Sequence, residues 1–156
     1  MKFLKLTFFL VLTSSLITFS SCKNEDDGIP GNGQGCVITW EVGGESFSEE
    51  VIGCLYNDET LNVGSIAIDN TQVQVDPVTS PGTYVSELGS GVTAVVFLKL
   101  SDGTQIGPKD GAVTVVVDKL SNTEASGTFS GTFVEIMDLT QITEYEVTNG
   151  TFQANF

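Results

Sequence analysis

From Cys36 to Phe156 the chain alternates apolar and polar residues with a period of two, almost without interruption. Period two is strand geometry, because successive side chains along a strand point to opposite faces. Cys36, Ile38, Trp40 and Val42 alternate with Val37, Thr39 and Glu41 before Gly43-Gly44 turns the chain. Ile52, Cys54 and Tyr56 mark a second strand, and Leu61 to Asp69 a third with a bulge at Gly64. Val73 and Val75 alternate with glutamines until Asp76-Pro77 stops them, and Pro81-Gly82 forms a turn before Thr83-Tyr84-Val85. Val92 to Leu100 is apolar on both faces, which predicts a central strand ended by an Asp102-Gly103 hairpin. Val113, Val115 and Val117 predict another strand, and Ser126 to Val134 the next. Tyr145 and Val147 lead to Asn149-Gly150, a two-residue hairpin signal, after which Phe152, Ala154 and Phe156 close the chain. No window outside the N-terminal segment carries a helical stripe. The prediction is one all-β domain over 36–156. It is an antiparallel β-sandwich, immunoglobulin-like or related, with a lipocalin-like β-barrel as the alternative.

The N-terminal segment obeys a different pattern. Lys2 and Lys5 precede an apolar run from Leu6 to Phe19, and Ser20-Ser21 leads directly into Cys22. The run is about 14 residues, below the roughly 18 to 20 a membrane-spanning helix needs. Charge, apolar run and small residues in that order make a secretory signal over 1–21. It resembles a bacterial lipoprotein signal, in which the final cysteine is diacylated on sulfur and becomes the mature N-terminus. Phe19 departs from the usual leucine three places before that cysteine. Lys23-Asn24-Glu25-Asp26-Asp27 resembles the tag that sends Bacteroidetes lipoproteins to the outer face of the outer membrane. Gly28 to Gly35 is rich in glycine, so residues 22–35 read as a lipidated, acidic and then flexible tether.

Cys22 is spent on lipid, which leaves Cys36 and Cys54 in an oxidising compartment. Two spare cysteines there predict a disulfide, the alternative being two buried free thiols. A first hairpin pairing symmetrically about Glu45 places Cys36 opposite Cys54 and Ile38 opposite Ile52.

The resemblance extends over nearly all of 36–156. Trp40 to Phe47 looks like the opening hairpin of a family of small uncharacterised Bacteroidetes surface lipoproteins. Pro81-Gly82-Thr83-Tyr84 resembles their "Gly-Thr-Tyr" element, although the hydrophobic-aromatic run that usually follows is altered here to Val92–Leu100. Ser126 to Phe133 with Thr148 to Phe152 resembles their C-terminal hairpin. The resemblance implies a fold and an address, and no activity.

Composition narrows the chemistry. The sequence has six lysines, no arginine, no histidine and 20 acidic residues, for a formal charge of −14. Residues 1–21 hold two lysines and no acid, so their removal moves the charge from −14 to −16. A field this negative repels nucleic acid and anionic head groups, and is compatible with neutral glycans or basic protein surfaces. The membrane is reached through the lipid anchor only. Without histidine or arginine, the usual general base, nucleophile pairs and bidentate anion clamps are missing. A carboxylate pair remains, as in glycoside hydrolysis, but Glu49-Glu50 and Asp58-Glu59 are each adjacent in sequence, so on strands their members point apart.

A hard cation wants clustered loop oxygens, for which Asn57-Asp58-Glu59 and Asp102 with Asp110 are the candidates. Trp40 lies on a face that reads as core, and Tyr56, Tyr84 and Tyr145 lie near strand ends. No catalytic residue, metal ligand or cofactor is expected. The predicted function is a non-catalytic surface lipoprotein serving adhesion, glycan capture or assembly. The alternative is a lipocalin-like carrier of a small apolar ligand, and an enzyme is the least favoured.

Overall fold

A computed structural model describes residues 35–64, 70–86, 91–136 and 143–156. The signal segment 1–21, Cys22, the tag Lys23, Asn24, Glu25, Asp26 and Asp27, most of the tether, and 65–69 of the expected third strand lie outside the described residues. The described residues form ten antiparallel strands and no helix. These are β1 (Cys36–Val42), β2 (Glu45–Val51), β3 (Leu55–Asn57), β4 (Thr60–Gly64) and β5 (Gln72–Asp76). They continue with β6 (Gly82–Val85), β7 (Thr93–Lys99), β8 (Gln105–Leu120), β9 (Glu124–Glu135) and β10 (Glu144–Asn155). All belong to one sheet with the order β2-β1-β10-β9-β8-β7-β5-β4-β3, and β6 pairs with Thr114–Val117 of β8 off that path.

The order forces the sheet to curl. β2 and β3 are consecutive in the chain but occupy opposite ends of the path. The stretch from Val51 to Leu55 reaches at most about 14 Å when extended. Laid flat, eight inter-strand steps would separate the same two edges by roughly 38 Å. The sheet therefore bends into a half-barrel, and β4 lies against β1 and β10 across the interior. That interior is filled by one continuous cluster. Ile38, Leu61, Val63, Val73, Val75, Val96, Leu98, Ile106, Val113 and Phe133 are among its fully buried members. Each such side chain contributes about 1.5–3 kcal/mol relative to exposure.

The central-strand expectation holds, since β7 sits between β5 and β8 with Ala94, Val96 and Leu98 buried and Val95 and Phe97 half-buried. Gly64 pairs in register with Gln72 without a bulge, and of the expected second strand only Tyr56 lies in one, β3. Two further expectations need correction. The first hairpin does not pair symmetrically about Glu45. Gly43 and Gly44 have φ of +61° and +86°, a two-residue turn of type I′, so Val42 faces Glu45, Ile38 faces Glu49 and Cys36 faces Val51. The strand β2 that results was not read from its Ser- and Glu-rich sequence, and Ile52, expected on the inner face, is 88% exposed.

The second correction concerns Asn149-Gly150, which is a β-bulge inside the continuous strand β10 and not a hairpin turn. Val147 faces Gly131 and Gly150 faces Phe129, so β10 carries one extra residue against β9, and likewise against β1 between Glu41 and Thr39. Asn149 takes φ +51°, a left-handed conformation that asparagine tolerates. The inserted residue shifts the inward phase, so Val147 is followed inside by Gly150, Phe152 and Ala154.

The Gly-Thr-Phe repeats have a packing reason. Gly127 faces Phe152, Thr128 faces Thr151 and Phe129 faces Gly150, so the rings of Phe152 and Phe129 lie over the opposite glycines. A Cβ on Gly127 would meet the Phe152 ring at 2.6 Å and the Val116 carbonyl at 2.0 Å.

Candidate functional site

Of the residues singled out from the sequence, the structure brings Cys36 and Cys54 together as a disulfide, with Cα atoms 6.4 Å apart and both residues buried. They do not meet as ladder partners. Cys54 lies beyond the end of β2, where Gly53 at φ +93° bends the chain and returns the cysteine inward. The bond pins the short crossing between the sheet's two edge strands to the first residue of β1.

Along β2, which leads from the first hairpin into this crossing, lie aromatic, acidic and unpartnered groups. Cross-strand neighbours share a face, so Phe47, Glu49 and Val51 of β2 lie on the inner side with Trp40, Ile38 and Cys36. Trp40 and Phe47 stack with ring centroids 5.3 Å apart and planes within 4°. Trp40 is 2% exposed, as its core reading required, yet its indole Nε1–H is buried with no acceptor. An open hollow of about 270 Å³ adjoins the stack, lined also by Ser48, Glu49, Lys99 and Leu100. Lys109 and Lys119 are paired with Glu144 and Glu124, so Lys99 is the one cation among the described residues without an ion pair. A second hollow of about 140 Å³ lies at the other end of β2, between Glu49, Glu50, Val51 and Ile52 and the loop residues Asn70 and Thr71. Thr71 Oγ1 is buried without a partner.

Elsewhere the polar groups are engaged. Tyr145 donates its phenolic O–H to Glu135 at 2.6 Å, and that bond, with partial burial, pushes its pKa up to about 12. The Lys109 ammonium is held above its ordinary value chiefly by its hydrogen bond to Glu144. Asp102 accepts the backbone N–H of Thr104 at 2.8 Å, which holds its carboxyl below the usual range. Asp58 and Glu59 both adopt positive φ in the exposed β3–β4 turn. Glu49 is half-buried on the inner side of β2 and Glu50 exposed on the outer, so their carboxylates do not converge. No group of three or more acidic or cysteine side chains among the described residues is placed to hold a metal ion.

The partners of Trp40 were legible in principle, since a two-residue turn at Gly43-Gly44 puts Phe47 opposite it. The hollows were not, because Lys99 comes from a strand, and Thr71 from a loop, far along the chain. No protein-family model, curated protein or solved structure matches the chain.

Proposed function

We propose that the protein is a non-catalytic lipoprotein, anchored through acylated Cys22 in the outer membrane and displayed on the cell exterior, where its β domain acts by binding in adhesion, glycan capture or assembly. One observation carries this reading: the order of Lys2 and Lys5, apolar run, Ser20-Ser21 and Cys22, followed by the Lys23–Asp27 tag. Several acyl chains hold a protein stably, at ~0.8 kcal/mol per buried CH₂, where a single chain holds it marginally. The same proposal includes membership of the Bacteroidetes surface-lipoprotein family that the hairpin and Gly-Thr-Phe segments resemble. Binding without turnover is favoured by a chain with no histidine or arginine and by acidic pairs that sit on opposite faces or in an exposed turn.

Metabolic labelling with a palmitate analogue tests the anchor. Wild type is expected to take the label and Cys22→Ala to remain dark, and equal labelling refutes the assignment. Protease added to intact cells tests display. Replacing Glu25, Asp26 and Asp27 by alanine is expected to leave the protein anchored but protected, and unchanged cleavage removes the tag from the reading.

A further inference from the structure

The two ends of the sheet are unlike. β3 is three residues long, and short edges resist the addition of another strand. β2 is seven residues long, pairs with β1 without a bulge, contains no proline or lysine, and among the described strands has no partner on its other side. A type I′ turn closes on a hydrogen-bonded pair, here Val42 with Glu45. Alternate residues of β2 therefore direct their backbone away from β1, and these are Ser46, Ser48 and Glu50. All three are exposed. Their N–H and C=O groups form a ready row of ladder rungs.

The surroundings specify what could use that row. Two hollows adjoin the β2 edge, the larger floored on the inner side by the Trp40–Phe47 stack and the smaller lined by Val51 and the exposed Ile52 together with Glu49 and Glu50. On the outer side stand the carboxylates of Glu50 and, from β1, Glu41. Lys99 shares the larger hollow with Glu49, so cations do not belong there. A second copy of β2, paired symmetrically about Ser48, would set Ser46 against Glu50 and Phe47 against Glu49, leaving those carboxylates without a counter-charge, and would bring together two chains of formal charge −14.

We propose that β2 is a docking edge for an extended segment of another protein that alternates basic and apolar residues. It adds as a strand, with apolar side chains reaching the hollow at the Trp40–Phe47 stack and basic side chains toward Glu50 and Glu41. Main-chain rungs supply affinity, alternate side chains supply selectivity, and the negative field of the domain speeds encounter. The inference rests on the reading of the domain as a surface binding module, but its test does not depend on acylation or display.

The probe is an acetylated, amidated heptapeptide alternating lysine with phenylalanine and valine, titrated into the full chain in detergent. Binding is expected to weaken as salt rises. Ser48→Pro removes one outward N–H that β1 does not use, so melting is expected to be unchanged while affinity falls roughly tenfold. Should that variant fold poorly, the same peptide N-methylated on alternate residues is tested on wild type and is expected to lose affinity to a similar degree. Slowed amide exchange at Ser46, Ser48 and Glu50 on binding marks the ladder. Equal binding of the methylated peptide reduces the effect to simple charge attraction and overturns the proposal. So does a chain that ignores the peptide at all salt concentrations, whether or not it captures a neutral glycan.

Discussion

Tyr145 shows how one hydrogen bond carries a pH dependence. Its phenol donates to Glu135, so ionising it in the folded protein would place a phenolate against a carboxylate. The folded pKa of about 12 lies above the ordinary 10.0. The folded state therefore keeps the proton that the unfolded chain releases, and the contribution to stability is full below pH 10 and is lost as pH rises toward 12. Tyr145→Phe is expected to flatten this part of the stability profile. Urea midpoints measured at several pH values across that window, with phenolate absorbance followed in parallel, check it. An identical alkaline decline in the variant would show that another group is responsible. Neither partner stood out in the sequence, where Tyr145 is a strand-end tyrosine and Glu135 one acid among 20. What joins them is the pairing of β9 with β10.

At the scale of the element, Asn149-Gly150 supplies the local chemistry of a turn and builds a bulge instead. Both residues suit positive φ, which a hairpin turn and a β-bulge use alike. The phase of the apolar residues separates the two cases. Tyr145 and Val147 are odd-numbered and Phe152, Ala154 and Phe156 even-numbered, a slip of one residue that an inserted bulge produces within a single strand. Asn149→Val sets a β-branched residue at φ +51° and is expected to cost about 1–2 kcal/mol. Asn149→Gly keeps the conformation, loses only the exposed hydrogen bond to Glu41, and is expected to be close to neutral. Denaturation midpoints with an unchanged m-value decide between them, and equal costs would mean that the bond and not the backbone matters. β2 is the opposite case. Apart from Phe47 and Val51, little in Glu45-Ser46-Phe47-Ser48-Glu49-Glu50-Val51 favours a strand locally, and pairing with the strongly β-forming β1 imposes one.

For the whole molecule, the Cys36–Cys54 bond joins β1 to the crossing that links the two ends of the sheet. Closing a loop with a sequence separation of 18 is worth about 3 kcal/mol by the chain-entropy estimate. The double variant Cys36→Ser with Cys54→Ser is expected to lose about that much, with amide exchange rising first in β2 and β3. Intact mass before and after reduction verifies the bond, and unchanged stability of the variant would assign the curl to packing alone.

Most of the strands, most of the turns and the identity of the disulfide are legible in the local sequence, with β2 the exception. Those depend on near neighbours: side-chain alternation, β-branching, residues that accept positive φ, and a count of cysteines. The glycine pair at 43–44 also carries the register of the first hairpin, since a two-residue turn there sets Val42 against Glu45. That the two edges lie within a four-residue reach of each other is set by the fold as a whole. The tertiary structure also decides that Lys99 and Thr71 meet the ends of β2 and that one edge stays open while the other is short. These follow from the order of strands across the sheet, a long-range pairing choice that no local stretch of the chain encodes.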